Sequence, residues 1–216
     1  MKSLSTVCTF VGLSMFASQD AETKRWIFEA TTIGALPKNW TTVKMGEGMG
    51  NVWKILEDPS APKGPKVLAQ TSVAGPSRMF NLCVADQTKF TDVDLNVAMK
   101  AVEGKIDQGG GLMWRYKDAN NYYIARMNPL EENFRVYKVV DGTRKQLGTA
   151  DVEAPAGKWH TIRIVHKGDH IQCYLNGKAH LDVKDDTFKE AGKIGLWTKA
   201  DAVTSFDDLS VSAPAK

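Results

Sequence analysis

The chain has 216 residues, 43% hydrophobic and 25% charged, with 28 Lys and Arg against 25 Asp and Glu for a net charge of +3. These values describe an ordinary globular chain, long enough for a single domain with a large core. They make no case for a nucleic-acid partner, because the charge is small and no basic run or RNA-binding aromatic motif accompanies it.

Residues 1–21 read as a secretory signal. Lys2 gives a positive start, Val7 to Ala17 (VCTFVGLSMFA) a short apolar stretch, and small residues follow near Ala17-Ser18 or Ala21. The alternative is an N-terminal strand or short buried helix. The stretch is too short to span a bilayer stably, and no later segment approaches transmembrane length. Cys8 lies inside the apolar stretch rather than after it, which argues against lipid attachment there. Removal of the signal leaves roughly 195 residues as one domain, 22–216. The expected location is secreted or periplasmic. Two cysteines remain, Cys83 and Cys173. They can pair in an exported protein or pack as two small hydrophobes, and sequence separation does not decide between these.

The rest of the chain reads as short strands between turns. Trp26–Glu29 is a first strand, and Thr31 to Trp40 is irregular. Asn51–Leu56 and Lys66–Thr71 flank a Pro/Gly-rich loop, Asp58–Pro65. Arg78–Ala85 and Thr91–Ala101 follow, the latter alternating Val93, Leu95, Val97 and Met99 with Asp92, Asp94 and Asn96. Beyond residue 150, strands are expected at Lys158–His166, His170–Leu175, Ala179–Val183, Ile194–Thr198 and Val203–Val211. Asn176-Gly177 is the strongest hairpin signal. Lys184–Ala191 is polar, with room for one helical turn. No long 3.6-residue period and no repeat appears, so the fold class is an all-β sandwich or barrel.

The stretch Gly109 to Gln146 carries the most chemistry. Three aromatic, β-branched runs each hold an arginine: Arg115, Arg126 and Arg135. Side chains alternate faces along a strand, so loop parity sets the pairing. A four-residue connection, Asp118 to Asn121, places Arg115 opposite Ile124 and Met113 opposite Arg126. The next turn sets Arg126 opposite Arg135. The Asp141-Gly142 turn sets Tyr137 opposite Gln146 and Val136 opposite Leu147. One face then presents Arg115, Arg126, Arg135, Tyr122, Tyr137 and Gln146. The other presents Leu112, Trp114, Ala125, Met127, Phe134, Val136 and Leu147 to the core. Facing arginines repel. Either acids on adjoining strands neutralise them, Asp94 beside Arg115 for instance, or the face receives an anionic or polyhydroxylated ligand. Gly109-Gly110-Gly111 precedes a strand rather than a helix, so it is a bend with close backbone packing and not a phosphate cradle.

The runs GGGLMWR, DANNYY, KWHTIRI, LNGK, GKIGLWT and SFDDLSV, in this order, resemble the concanavalin A-like (laminin G-like) sandwiches. The nearest resemblance is to the 3-keto-disaccharide hydrolase-like family of secreted bacterial proteins, over roughly Trp26 to Val211. It implies a jelly-roll of two curved antiparallel sheets with a carbohydrate site on the concave face. It also implies cleavage of a 3-keto-glycoside, with Arg115 at the arginine that follows the family's Gly-rich strand. That chemistry needs one base and one electrophile. Asp94 or His160 would be the base, and Arg115 or Arg126 would stabilise the oxyanion. Tyr122, Arg126, Arg135, Tyr137, Asn96 and Gln146 join Arg115 as substrate-binding candidates. The alternative is a non-catalytic glycan-binding or cell-surface module. The E-x-D-x-E strand of family 16 glycoside hydrolases is absent and no acid–base carboxylate pair stands out, which argues against a retaining glycosidase.

Other residues are ambiguous. Asp207 and Asp208 resemble closing-strand acids that help hold a structural calcium in such sandwiches, or they cap a turn without an ion. The four histidines lack zinc-ligand spacing. Glu131 and Glu132 read as solvated loop acids, and Trp114, Trp159 and Trp197 as core.

Overall fold

A computed structural model describes residues 23–215; residues 1–22, which include the expected signal, and Lys216 lie outside the described residues. Among the described residues, fifteen strands form two antiparallel sheets. The first seven are β1 (Lys24–Trp26), β2 (Trp40–Met45), β3 (Trp53–Glu57), β4 (Lys66–Gln70), β5 (Phe80–Phe90), β6 (Val93–Glu103) and β7 (Gly110–Asp118). There follow β8 (Asn121–Asn128), β9 (Asn133–Val140), β10 (Thr143–Asp151) and β11 (Trp159–Lys167). The last four are β12 (His170–Leu175), β13 (Lys178–Lys184), β14 (Gly192–Lys199) and β15 (Val203–Ser212). One sheet runs β13-β12-β11-β6-β15-β4-β3, with β1 also paired to β15; the other runs β10-β9-β8-β7-β14-β5-β2. The expected all-β sandwich is the observed fold. The Lys184–Ala191 segment holds no helical turn. Among the described residues, no helix is long and apolar enough to cross a membrane.

Alternation explains the packing. Val93, Leu95, Val97 and Met99 of β6 join Ile162, Ile164 and Cys173 on one inner face. Leu112, Trp114, Ala125, Phe134, Val136 and Leu196 form the facing layer. Each Val, Leu, Ile, Phe or Met among them contributes about 1.5–3 kcal/mol on leaving water. Cys83 and Cys173 lie in this core, one on each sheet, as free, buried thiols, and burial pushes both thiol pKa values up. Trp114 donates its indole N–H to His166 Nδ1 at 2.8 Å. Burial, reinforced by the Arg115 charge, lowers the His166 pKa to about 4.

Both short hairpins form as their turn residues require. Asp141-Gly142 and Asn176-Gly177 take positive φ at both central positions, the type I′ geometry. β2 begins where the irregular segment ends, at Trp40, and is a strand that the sequence pattern left unassigned. It lies at the edge of its sheet, where only one residue is fully buried and alternation is weak.

The register of β7 departs from the parity argument. Met113 faces Ile124 and Trp114 faces Tyr123, and the pairing then shifts so that Asp118 faces Asn121. The turn is a two-residue one, and the extra residues are absorbed by a bulge at Arg115, whose φ is 44°. The expected pairs Arg115–Ile124 and Met113–Arg126 do not form. A second bulge between Gln146 and Gly148 replaces the expected Val136–Leu147 pair with Val136–Gly148. Arg126–Arg135 and Tyr137–Gln146 pair as expected.

Gly110 and Gly111 are needed for close approach. A Cβ on Gly111 would overlap the Ala125 carbonyl, whereas one on Gly177 would meet open space. Gly111→Ala is expected to cost about 3 kcal/mol by overpacking. Gly177→Ala should cost only about 1 kcal/mol, for its left-handed φ. Urea denaturation of the two variants checks the order.

Candidate functional site

The inner faces of both sheets are filled with side chains, so a site must lie on an outer face or a rim. The outer face of the seven-stranded sheet carries a second apolar layer: Phe80, Leu82, Met113, Tyr122, Ile124 and Trp197, among others. A single register row crosses this face through Leu82, Trp197, Gly111, Arg126 and Arg135. At that end of the sheet the polar groups gather.

Arg126 is 2% exposed. It donates to Asn133 Oδ1 at 2.7 Å, to Glu131 Oε2 at 2.8 Å and to the Tyr137 hydroxyl at 3.3 Å. Arg135 reaches the same Glu131 oxygen at 3.0 Å. Burial tends to raise the Glu131 pKa, but the hydrogen bond and charge of Arg126, the Asn133 amide and the Arg135 charge outweigh it and hold the carboxyl at about 2. Glu131 is therefore the acid that relieves the Arg126–Arg135 repulsion, in place of the solvated role expected for it.

A second carboxylate stands nearby. Asp107, 2% exposed, accepts from Lys199 Nζ at 2.6 Å and Asn128 Nδ2 at 3.0 Å. Burial raises its pKa despite Lys199, and the charges of Arg126 and Glu131 both act on it. Its loop is fixed by Asp201, whose carboxylate accepts the backbone N–H groups of Lys105, Ile106 and Asp107. Asp107 sits alone in the β6–β7 loop with no motif around it, so parity reasoning had no route to it.

Arg144 completes the cluster. Its guanidinium lies 4.5 Å from the Tyr137 ring centre, 5.0 Å from Phe80 and 5.9 Å from Trp197. Burial lowers its pKa, and its charge couples to Tyr137, Arg126, Asp107 and Glu131. Two buried donors of this group, Arg126 Nε and Arg144 Nη1, have no hydrogen-bond partner among the described residues, and neither does Trp197 Nε1. Unpaired buried donors are costly, and several together mark a place where an acceptor would be welcome.

Of the residues named from the sequence, Arg126, Arg135, Tyr137, Tyr122 and Gln146 share this face. Tyr122 is fully buried, its hydroxyl 4.0 Å from Met45 Sδ, and burial pushes its pKa up. Gln146 is exposed.

Arg115 does not join them. It is 1% exposed and donates to the Thr91, Phe188 and Gly168 carbonyls at 2.6, 2.6 and 2.9 Å and to Asp92 Oδ1 at 3.3 Å. Asp94 does not neutralise it. Asp94 receives a two-pronged ion pair from Arg163, at 2.8 and 2.6 Å, on the outer face of the eight-stranded sheet. Asn96 lies beside Asp94, donating to it at 3.3 Å. His160 turns to the other face of that sheet, between the Pro155 carbonyl and the Asn176 amide. In the β6–β11 pair His160 faces Met99 and Asp94 faces Val165. They are five residues apart along the strand, about 16 Å. Asp94, His160 and Arg115 thus do not converge on one substrate.

Asp207 accepts the N–H groups of Lys63 and Asp208, and Asp208 pairs with Arg25. Among the described residues, no three His, Cys, Asp or Glu side chains are grouped to hold a metal ion.

The fold defines the class: an all-β sandwich of two antiparallel sheets. The chain belongs to the 3-keto-alpha-glucoside-1,2-lyase-like domain family, whose model matches residues 35–212. No curated protein matches it. Among solved structures it resembles the carbohydrate-binding module CBM66 from Bacillus subtilis (20% identity, TM-score 0.61, 81% of this chain and 96% of that one). A Bacillus subtilis protein of unknown function with a galectin-like fold gives 14% identity and a TM-score of 0.56 over 82% and 90%. A putative glycosyl hydrolase from Parabacteroides distasonis gives 12% and 0.50 over 82% and 89%.

Two tests follow. Arg115→Ala is expected to cost about 3–5 kcal/mol, because it orphans Asp92 and three carbonyls at a buried corner; thermal unfolding reads this directly. Glu131 has a folded pKa below its ordinary 4.5, so its stabilisation is present above pH 4.5 and lost as pH falls from there toward 2. The carboxylate is 40% exposed, so screening limits the effect to about 1 kcal/mol. Glu131→Gln should flatten that part of the stability–pH curve.

Proposed function

We propose that this chain engages saccharides on the outer face of the seven-stranded sheet, at the cluster around Arg126 and Arg144. The observation that carries the reading is the set of buried, unpartnered guanidinium N–H groups beside the Tyr137, Phe80 and Trp197 rings. An apolar floor with a few convergent donors suits a sugar, whose ring has apolar C–H faces and a rim of oxygens. Guanidinium donors also suit a carbonyl or enolate oxygen.

The family supports a finer reading, elimination from a 3-keto-α-glucoside. The ketone at C3 acidifies the C2–H bond. Asp107 takes that proton, its buried carboxylate being a stronger base than an ordinary aspartate. The electron pair forms an enolate whose oxygen is stabilised by Arg126 and Arg144. Collapse of the enolate forms the C1–C2 double bond and breaks the C1–O bond, and the leaving oxygen takes a proton from solvent. The reading includes export, on the strength of the apolar stretch at residues 7–17.

A second reading, a saccharide-binding module without turnover, is favoured by one observation: Asp107 and Glu131 are both held by cations, Lys199 and the Arg126–Arg135 pair.

Arg144→Ala is expected to weaken saccharide binding at least tenfold by calorimetry, with Arg144→Lys recovering only part of it. Incubation with a 3-keto-α-glucoside, read by mass spectrometry, separates the readings. Product that disappears in Asp107→Asn while binding persists supports the lyase, and binding without product supports the module. No saccharide binding in the wild type removes both.

A further inference from the structure

We infer that the far end of the same sheet face holds a subsite for an acidic sugar, one bearing a carboxylate. The inference rests on the saccharide reading above and specifies the ligand's charge.

The subsite is a cleft of about 790 Å³ between β5, β7 and β14 and the N-terminal strand. Lys24, Lys89, Lys117 and Lys193 line it, against one carboxylate, Asp86. Asp86 is already spent: it accepts from Lys193 at 2.8 Å and from the Thr41 hydroxyl at 2.6 Å. Among the described residues no acid pairs with Lys24, Lys89 or Lys117. The ammonium of Lys24 rests on the Gln87 carbonyl and that of Lys117 over the Phe188 ring, 5.4 Å from its centre. Gathering cations around one depression is unfavourable without an anion, and low-dielectric walls concentrate the resulting field inside it.

The floor is aromatic. Tyr116 is half-buried there, tilted against Tyr122 with ring centres 6.0 Å apart, and its hydroxyl has no hydrogen-bond partner among the described residues. It reaches this position because of the Arg115 bulge. Trp114 points to the inner core, and in an unbroken strand Tyr116 would follow it; the bulge turns Tyr116 to the outer layer instead. Gly192 makes room, since a Cβ there would collide with the Arg115 and Tyr116 backbone.

The cleft and the Arg126 cluster share one face. Lys193, opposite Tyr116, and Trp197, in the Arg126 row, are four residues apart on β14, about 13 Å. A ligand longer than one sugar would meet both. An aromatic ring beside uncompensated ammonium groups fits a sugar ring with a carboxylate in place of its hydroxymethyl group.

The test compares methyl β-D-glucuronide, methyl β-D-glucoside and inorganic sulfate by NMR titration of the wild type and of a Lys89→Ala/Lys117→Ala variant, both sites being exposed. The expected result is at least tenfold tighter binding of the glucuronide than of the glucoside, an advantage that rising salt and the double variant both abolish. Equal affinity for the two glycosides, or an advantage that survives in the variant, overturns the inference while leaving the saccharide reading intact. Sulfate binding as tight as glucuronide overturns the sugar part, leaving a simple anion site. Binding of neither glycoside overturns both.

Discussion

One guanidinium organises a corner of this molecule. Arg115 occupies a backbone conformation that a non-glycine residue avoids, and four oxygens from three separate connections hold it there: the β5–β6 turn, the β11–β12 turn and the β13–β14 loop. A buried charge is tolerable only when its donors are satisfied. Here satisfying them fixes the spacing of the two sheets at this end. The bulge also reverses which side chains of β7 face inward. Trp114 can then pack on Tyr123 and bond to His166, while Tyr116 joins the outer layer.

The contrast between Arg115 and Arg126 shows how one residue type serves two ends. Arg115 has its donors consumed by backbone carbonyls and one acid, which spends its charge on architecture. Arg126 has one acid, one amide and one phenol, and a donor left over. Arg144 lies over aromatic rings, with its Nη1 unpartnered among the described residues. Only the last two keep valence for another molecule. The two carboxylates among them differ in the same way: cations and amides hold Glu131 firmly ionised, whereas burial opposes ionisation of Asp107.

Much of the fold was legible because turn chemistry is local. Asp141-Gly142 and Asn176-Gly177 imply their hairpins outright, and counting from the first gives the Tyr137–Gln146 pair. The β8–β9 pairing followed in the same way. Parity failed at β7 because a bulge depends on what receives the Arg115 side chain, and those oxygens come from residues 23 to 73 positions away. The error carries into the site: parity groups Arg115 with Arg126 and Arg135 and allows Asp94 beside it, whereas Arg163, one strand over, claims that carboxylate. Arg126, Arg135 and Tyr137 survive as neighbours because their register depends on a short turn alone. Asp107 and Arg144 were invisible for a different reason. Each is one charged residue in a polar context, and only the third dimension brings them together.

The placement of β15 has a consequence for how the molecule is made. This strand comes last in chain order among the described residues, yet it lies inside the eight-stranded sheet, with β6 on one flank and both β4 and β1 on the other. A nascent polypeptide still lacking it has two unzipped edges and no way to bring β3 and β4 alongside the rest. Closure is therefore a late event, governed by contacts distant in sequence, and such contacts form slowly.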